Sequence, residues 1–432
     1  MLSYLLLAAV LIGSWRWPGL LIVGALLTYQ SSMIANFAGL TTIYTISALG
    51  VALLKSFPAI GRARLNLVDF SLLLFMGVYL ISTARSFFPE QALASFTSIF
   101  AASVSMYLLG RLATLVTEPG HLAKQILYGI VFFGTAFSLI ILAQYDSSMA
   151  RLRVGDATAV GITQPFPLEL TATVIAIFAA GIQRRLFLLL ILLFALFVIA
   201  YASVLSGTRG VFVSFFVGAF VALALYVRNV RVWAALAVVA ALGLAVYPFL
   251  SLDIASPLQA SIGRLLTNFS DDTTGLDLSS QLRLEQQLLG LDVWAINPIF
   301  GAGAGGYNAI TGRGYPHNVF IEVAANAGLV GVLSILTFIG FVLFYLFNGA
   351  DNFSRAIILS LFFAALTHMQ LSFALDMAKP FFLIGGVSAG WAAALLASQR
   401  QSGAFNSVRP YQRNKSGPFI RSRSNSKQGL SR

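Results

Sequence analysis

The chain has no cysteine, only three histidines and little charge: 10% of its 432 residues are Asp, Glu, Lys or Arg. Without cysteine there are no disulfides and no thiolate metal sites. A soluble domain carries about a quarter charged residues, so the shortage of charge excludes an ordinary water-soluble protein. Histidine-based metal chemistry lacks ligands too, because His121, His317 and His368 are scattered, with no His-x-x-x-His pair. Serines are plentiful, so a Ser-His-Asp hydrolase is possible on residue count alone.

What the chain has instead is hydrophobicity, at 58% of residues. A helix needs roughly 20 apolar residues to cross a bilayer. Expected spans include Asn66–Thr83, Leu93–Gly110, Lys124–Gln144, Leu168–Gly181, Leu186–Leu205, Gly210–Val227 and Val232–Leu250. Gly328–Phe347, Ala356–Leu375 and Pro380–Ala397 follow, and two or three more precede Ser56. The expected fold is therefore an all-α polytopic membrane protein with about 12–13 transmembrane helices. The opening "MLSYLLLAAVLIG" lacks a positive flank and reads as a retained membrane segment.

The net charge of +12 sits largely in the tail Gln399–Arg432, where eight Lys or Arg face no acidic residue. Beside a final apolar helix this pattern points to a cytosolic, disordered tail, with membrane lipids as its partner and no nucleic acid. Alternation then puts Arg62, Arg64, Arg184, Arg185, Arg228 and Arg231 on the same side. Residues 251–317 fall on the other side, and that loop carries six acidic residues against three arginines. The expected division is a transmembrane catalytic domain, 1–398, and a basic tail, 399–432.

Such a long loop in a polytopic protein is usually functional or disordered. It contains "SSQLRLEQQLLGLDVWAINP", which predicts an amphipathic helix at the membrane surface. The expected cap is Ser279 or Ser280, and the helix should end near Pro298. "GAGAGG" at Gly301–Gly306 matches a dinucleotide fingerprint in letters, but no βαβ context surrounds it, so a sharp turn is expected. Arg209, Arg151, Arg153 and Arg283 lie on the expected outer face, where arginines are uncommon. Together they suit a bound phosphate, since guanidinium forks match its oxygens. His317 precedes an apolar helix, and an imidazole there can take a hydroxyl proton near neutral pH. Glu322, off its helical face, reads as structural.

The residues from His317 form a specific pattern: His317-Asn318, nine residues, Gly328, two residues, Gly331. This resembles the signature of the bacterial O-antigen ligase family. "NPIFGAGAGGY", with Gly301 and Gly303, resembles the family's Pro-x-x-Gly-x-Gly turn, and "SGTRGVF" its Ser-Arg-Gly span start, with Thr208 where serine is usual. The resemblance implies a GT-C type glycosyltransferase of the inner membrane with one large periplasmic loop. It implies transfer of a glycan from undecaprenyl diphosphate to an acceptor sugar hydroxyl, without metal or other cofactor. The acceptor is lipid A-core for a ligase, or another lipid-linked glycan for an O-antigen or exopolysaccharide polymerase. His317 is the implied catalytic residue; Arg209 and Arg283 are the implied diphosphate ligands, with Arg151 and Arg153 as further candidates. A transporter or lipid flippase is the alternative from another class, although such proteins place ionisable residues mid-membrane and show inverted repeats.

Overall fold

The computed structural model describes residues 2–34, 39–61, 63–144, 163–183, 185–226, 278–349 and 351–407. Among these residues all regular structure is helical, with 14 α-helices and one 3-10 turn. The first six are α1 (Leu2–Gly13), α2 (Gly19–Ile34), α3 (Gly39–Ile60), α4 (Leu67–Ala84), α5 (Pro89–Ala113) and α6 (Pro119–Ala143). Next come α7 (Phe166–Ile182), α8 (Leu186–Leu205) and α9 (Arg209–Tyr226). The last group is α10 (Leu278–Ile296), α11 (Gly306–Thr311), α12 (Val319–Gly349), α13 (Asn352–Ser372) and α14 (Lys379–Ser407), with the 3-10 turn at Leu375–Met377.

Seven of these helices are long and apolar enough to cross a membrane, and four shorter apolar helices accompany them. The protein is an all-α polytopic membrane protein. The expected span Val232–Leu250, Arg151 and Arg153 lie outside the described residues.

Local sequence sets the helix starts. Asn66 and Asp69 form a reciprocal capping box that opens α4. Proline stands in the first turn of α5, α6 and α7, where its missing N–H costs nothing. Asp351 accepts from the N–H groups of Phe353 and Ser354, 3.0 Å each, and so caps α13. α8 exposes Phe187, Leu190, Phe194 and Phe197 along one side. Such a face is stable in hydrocarbon and unstable in water.

The chain forms two compact units, Met1–Ala393 and Ala394–Arg432. In the second, the described residues 394–407 are helical. In the first, the largest buried cluster includes Phe75, Tyr107, Phe338, Phe362, Phe381 and Phe382, so α4, α5, α12, α13 and α14 share one aromatic core. Phe338 packs on Phe381 and Phe382 at ring-centroid distances of 5.5 and 5.9 Å.

Candidate functional site

The site begins with a broken helix. α12 is interrupted at Gly328, whose φ of 66° and ψ of −164° are not helical. The break leaves carbonyls above it and N–H groups below it without helical partners. The segment from Asn297 to Gly303 fills the gap. Leu329 and Val330 donate to the carbonyls of Pro298 and Ile299, at 2.8 and 3.2 Å. Ala302 and Gly303 donate to those of Ala325 and Asn326, at 2.9 Å each. Each such group left unmade when buried would cost roughly 1–3 kcal/mol.

Glycine is required at the crossing. A Cβ on Gly328 would lie 2.3 Å from the backbone of Ile299, and one on Gly301 2.4 Å from that of Asn326. Both also have positive φ, which side chains rarely adopt. α4 clamps the crossing from beside it: Ser82 donates to the carbonyls of Phe300 and Asn326, and Ser86 to that of Ala302. Asn326 accepts from the Tyr307 N–H at 3.0 Å, which sets the start of α11. Gly301–Gly306 is thus a tertiary joint, with no strand before it.

α12 itself starts at a cap. The Asn318 side chain accepts from the Ile321 N–H at 3.1 Å. His317, just before it, has φ 57°, the one positive φ of a non-glycine among the described residues. An imidazole held in this costly conformation is over-determined by its surroundings. Its ring lies 4.4 Å from that of Tyr315, centroid to centroid.

Tyr315 opens onto a cavity of about 430 Å³, also lined by Gln91, Ser95, Ser98, Asn308, Glu322 and Asp376. Gln91 donates to Asn308 at 2.8 Å and so joins α5 to α11 across its rim. Glu322 is buried and accepts from the Leu375 N–H at 2.9 Å, which fixes the turn carrying Asp376 and leading to Lys379. Burial pushes the Asp376 carboxyl up, and Lys379 opposes that shift. Burial likewise pushes the Lys379 ammonium down to about 8, with Asp376 opposing. The Tyr315 hydroxyl is pushed up by burial; Arg283 opposes this, while Glu322 and Asp376 add to it.

The two arginines arrive from different elements. Arg283 is half-buried on α10, and its charge acts on both Tyr315 and His368. α10 is fixed by Tyr307, which donates to the Gln286 carbonyl at 3.1 Å, and by a 3.6 Å ion pair between Arg313 and Glu285. Its Leu289 and Val293 pack against Tyr307, Ala302 and Ala325, while Leu282 and Ile296 stay exposed. Both Ser279 and Ser280 lie inside this helix rather than ahead of it.

Arg209 is the first residue of α9. Gly207, at φ 60°, turns the chain after α8, and Thr208 bonds the Ser206 carbonyl at 3.4 Å, a contact that serine could also make. His368 is buried on α13, with Nδ1 3.3 Å from the Gly210 carbonyl and 3.2 Å from the Ser214 hydroxyl. It therefore anchors the helix start that carries Arg209. The structure sets His317 against Tyr315 and puts Arg283 within electrostatic reach of Tyr315 and His368, while His368 holds the helix start that carries Arg209.

Sequence reasoning missed Asp376 and Lys379. The signal was two charges three residues apart in "ALDMAKPFF", between two apolar runs. It also missed that Gly386-Val387-Ser388-Ala389-Gly390 has the letters of a hydrolase elbow. Ser388 is fully buried within α14 and donates to the Val342 carbonyl at 3.0 Å, so it is not a nucleophile poised on a strand-to-helix turn. Gly386 serves close packing: a Cβ there would lie 2.0 Å from the Tyr107 carbonyl oxygen on α5.

No curated protein matches the chain. Residues 193–336 match the family model described as O-antigen ligase. The matched stretch runs from α8 into α12 and includes Arg209, Arg283, His317 and both halves of the glycine joint. Over this third of the chain the protein is similar to the O-antigen ligase family.

Proposed function

We propose that the protein is a glycosyltransferase that moves a glycan from undecaprenyl diphosphate onto an acceptor sugar hydroxyl at the periplasmic face of the inner membrane. The observation that carries this reading is the joint between Pro298–Gly303 and the broken helix at Gly328. It lies in the family-matched stretch, on the helix that follows the strained His317, whose ring packs on the cavity-lining Tyr315.

His317 removes the proton of the attacking hydroxyl. The acceptor oxygen bonds to the anomeric carbon as the bond from that carbon to the phosphate oxygen breaks, and the electron pair leaves with the diphosphate. Arg209 and Arg283 stabilise the charge growing there, with Arg151 and Arg153 as further ligands. The polar wall of Gln91, Ser95 and Asn308 offers hydrogen bonds to the acceptor sugar. A second cavity, about 370 Å³, lies between α3 and α5. Ile46, Leu49, Ala101 and Met106 line it, Lys379 stands in its wall, and it shares Ser98 with the first cavity. That groove suits the polyprenyl chain, which would then enter beside the reacting end.

The loop that contains α10 faces the periplasm in this reading, and residues 399–432 form a basic cytosolic tail after the catalytic domain, 1–398. A ligase would use lipid A-core as acceptor and a polymerase another lipid-linked glycan; the ligase reading is favoured by the full His317–Gly331 pattern. The test is transfer by purified protein from an undecaprenyl-diphosphate glycan, with chelator and with either acceptor. Transfer to lipid A-core that persists in chelator is the expected result. Dependence on a divalent ion would overturn the arginine mechanism, and transfer to the lipid-linked acceptor alone would make the protein a polymerase.

A further inference from the structure

A third cavity shares no lining residue with the other two. It occupies about 440 Å³ between α1, α2 and α6. Its floor is made of small or buried residues: Ala9 and Gly13 on α1, Leu20 on α2 and Gly129 on α6. Gly129 makes the floor low, because a Cβ there would meet Val23 at 2.7 Å, so α2 and α6 pack tightly beneath. The walls are aromatic, with Trp17, Tyr128, Phe132 and Phe133. Trp17 is 53% and Phe132 68% exposed.

The polar end of the furrow is well defined. Lys124, Tyr128 and Phe132 follow at four-residue spacing along α6, so the furrow runs from a cation through an amphipathic ring to a purely apolar one. Gln125 accepts from the Gly19 N–H at 2.8 Å, which locks the start of α2 at this end. Arg16 is exposed in the neighbouring turn. Lys55 donates to the carbonyls of Ser14 and Trp15 and lies 5.7 Å from the Trp15 ring centre, which closes the α1–α2 turn. The nearby acid, Glu118, pairs with His121 at 3.6 Å. A tryptophan and a tyrosine beside a lysine mark the level of the lipid headgroups.

We infer that this furrow binds one anionic membrane phospholipid, with an acyl chain against Phe132 and Phe133 and the phosphate at Lys124. The cation at the mouth selects the anionic headgroup, and the apolar depth excludes a free phosphate as the occupant. The site is separate from the transferase cavity.

The test is native mass spectrometry of the full-length protein released from detergent with added phosphatidylglycerol or phosphatidylcholine. The wild type should retain phosphatidylglycerol with about fivefold preference, the effect of one lysine near a lipid surface. Ala9→Trp fills the furrow without changing charge and should abolish retention of both lipids. Lys124→Gln should leave retention but erase the preference, and it keeps the inference testable if the tryptophan variant fails to fold. Equal retention of both lipids by wild type, or undiminished retention by a folded Ala9→Trp, would overturn the inference. So would a dimer that forms without lipid and is lost in Ala9→Trp, because the furrow would then be a contact between two copies.

Discussion

The two ends of the helical bundle both hold buried charge, but they treat it differently. At one end Asp69 and Arg111 pair at 3.4 Å, and each side chain is 8% exposed. Tyr107 donates to Asp69 at 2.7 Å, Arg111 donates to the Arg64 carbonyl at 2.8 Å, and Asn66 donates to that of Ala389 at 2.8 Å. These groups face one another and fasten α4, α5 and α14. At the other end Tyr315, Glu322 and Asp376 line an open space of about 430 Å³, and the charge of Arg283 acts on Tyr315. Charge paired with its own neighbours holds helices together. Charge arranged around a void is available to something that enters it.

This contrast sets the predictions. The largest effect is expected from His317→Ala, which should slow transfer about 10²–10⁴-fold, the usual worth of a positioned base. Alanine is strained at this φ of 57° as well, so some loss of folded protein is expected and rates are compared per folded molecule. Transfer rates normalised to purified folded protein are the measurement, and a rate near wild type would remove the histidine from the chemistry.

Arg209→Gln and Arg283→Gln come next. Each removes one charged contact to the leaving diphosphate, roughly 3 kcal/mol or on the order of 100-fold in rate. Lysine keeps the charge but not the planar fork, so Arg→Lys at either position should fall between wild type and glutamine. If glutamine and lysine variants prove equally active, charge is not what these residues supply.

The opposite end should fail differently. Asp69→Asn leaves Arg111 buried without its carboxylate, which typically costs about 3–5 kcal/mol of stability. The expected outcome is a lower unfolding temperature in detergent, with transfer per folded molecule close to wild type. A rate loss without a stability loss would show that this end also serves the reaction.

The smallest effect concerns Lys379, whose ammonium is pushed down to about 8 by burial. It is charged below that pH and neutral above it, so any help it gives an anionic donor is lost as pH rises through about 8. At pH 9 about a tenth of the molecules keep the charge. Transfer should decline several-fold on that limb, and Lys379→Arg should flatten it. An unchanged limb in Lys379→Arg would assign the decline to another group.

How much of this was legible in the sequence depends on the range of the interaction. The N-cap at Asn66 and the prolines that open α5, α6 and α7 act within one turn, and their helices are readable from local pattern. α12 shows where local reading stops. Its expected span began at Gly328, but the helix starts at Val319 and breaks at that glycine. An apolar run was visible there; a loop from residues 297–303 threaded into it was not. Asp376 and Lys379 were hidden for a similar reason, since both fell in the short gap between two expected spans and gain meaning only from Glu322 across the site.

By itself the sequence determined the solvent, the class and the chemistry at hand. Scarce charge and long apolar runs require a bilayer, backbone groups in hydrocarbon require helices, and the absence of cysteine removes thiolate chemistry, while arginine and imidazole are the groups the proposed reading employs. The tertiary structure alone decided which of those groups meet. The glycine joint, the Glu322 tie and the His368 anchor each join residues tens to more than a hundred positions apart. The physical reason is that hydrophobicity and capping act between near neighbours and carry no information about such pairings. A site of convergent charge exists only once the helices that carry it have packed.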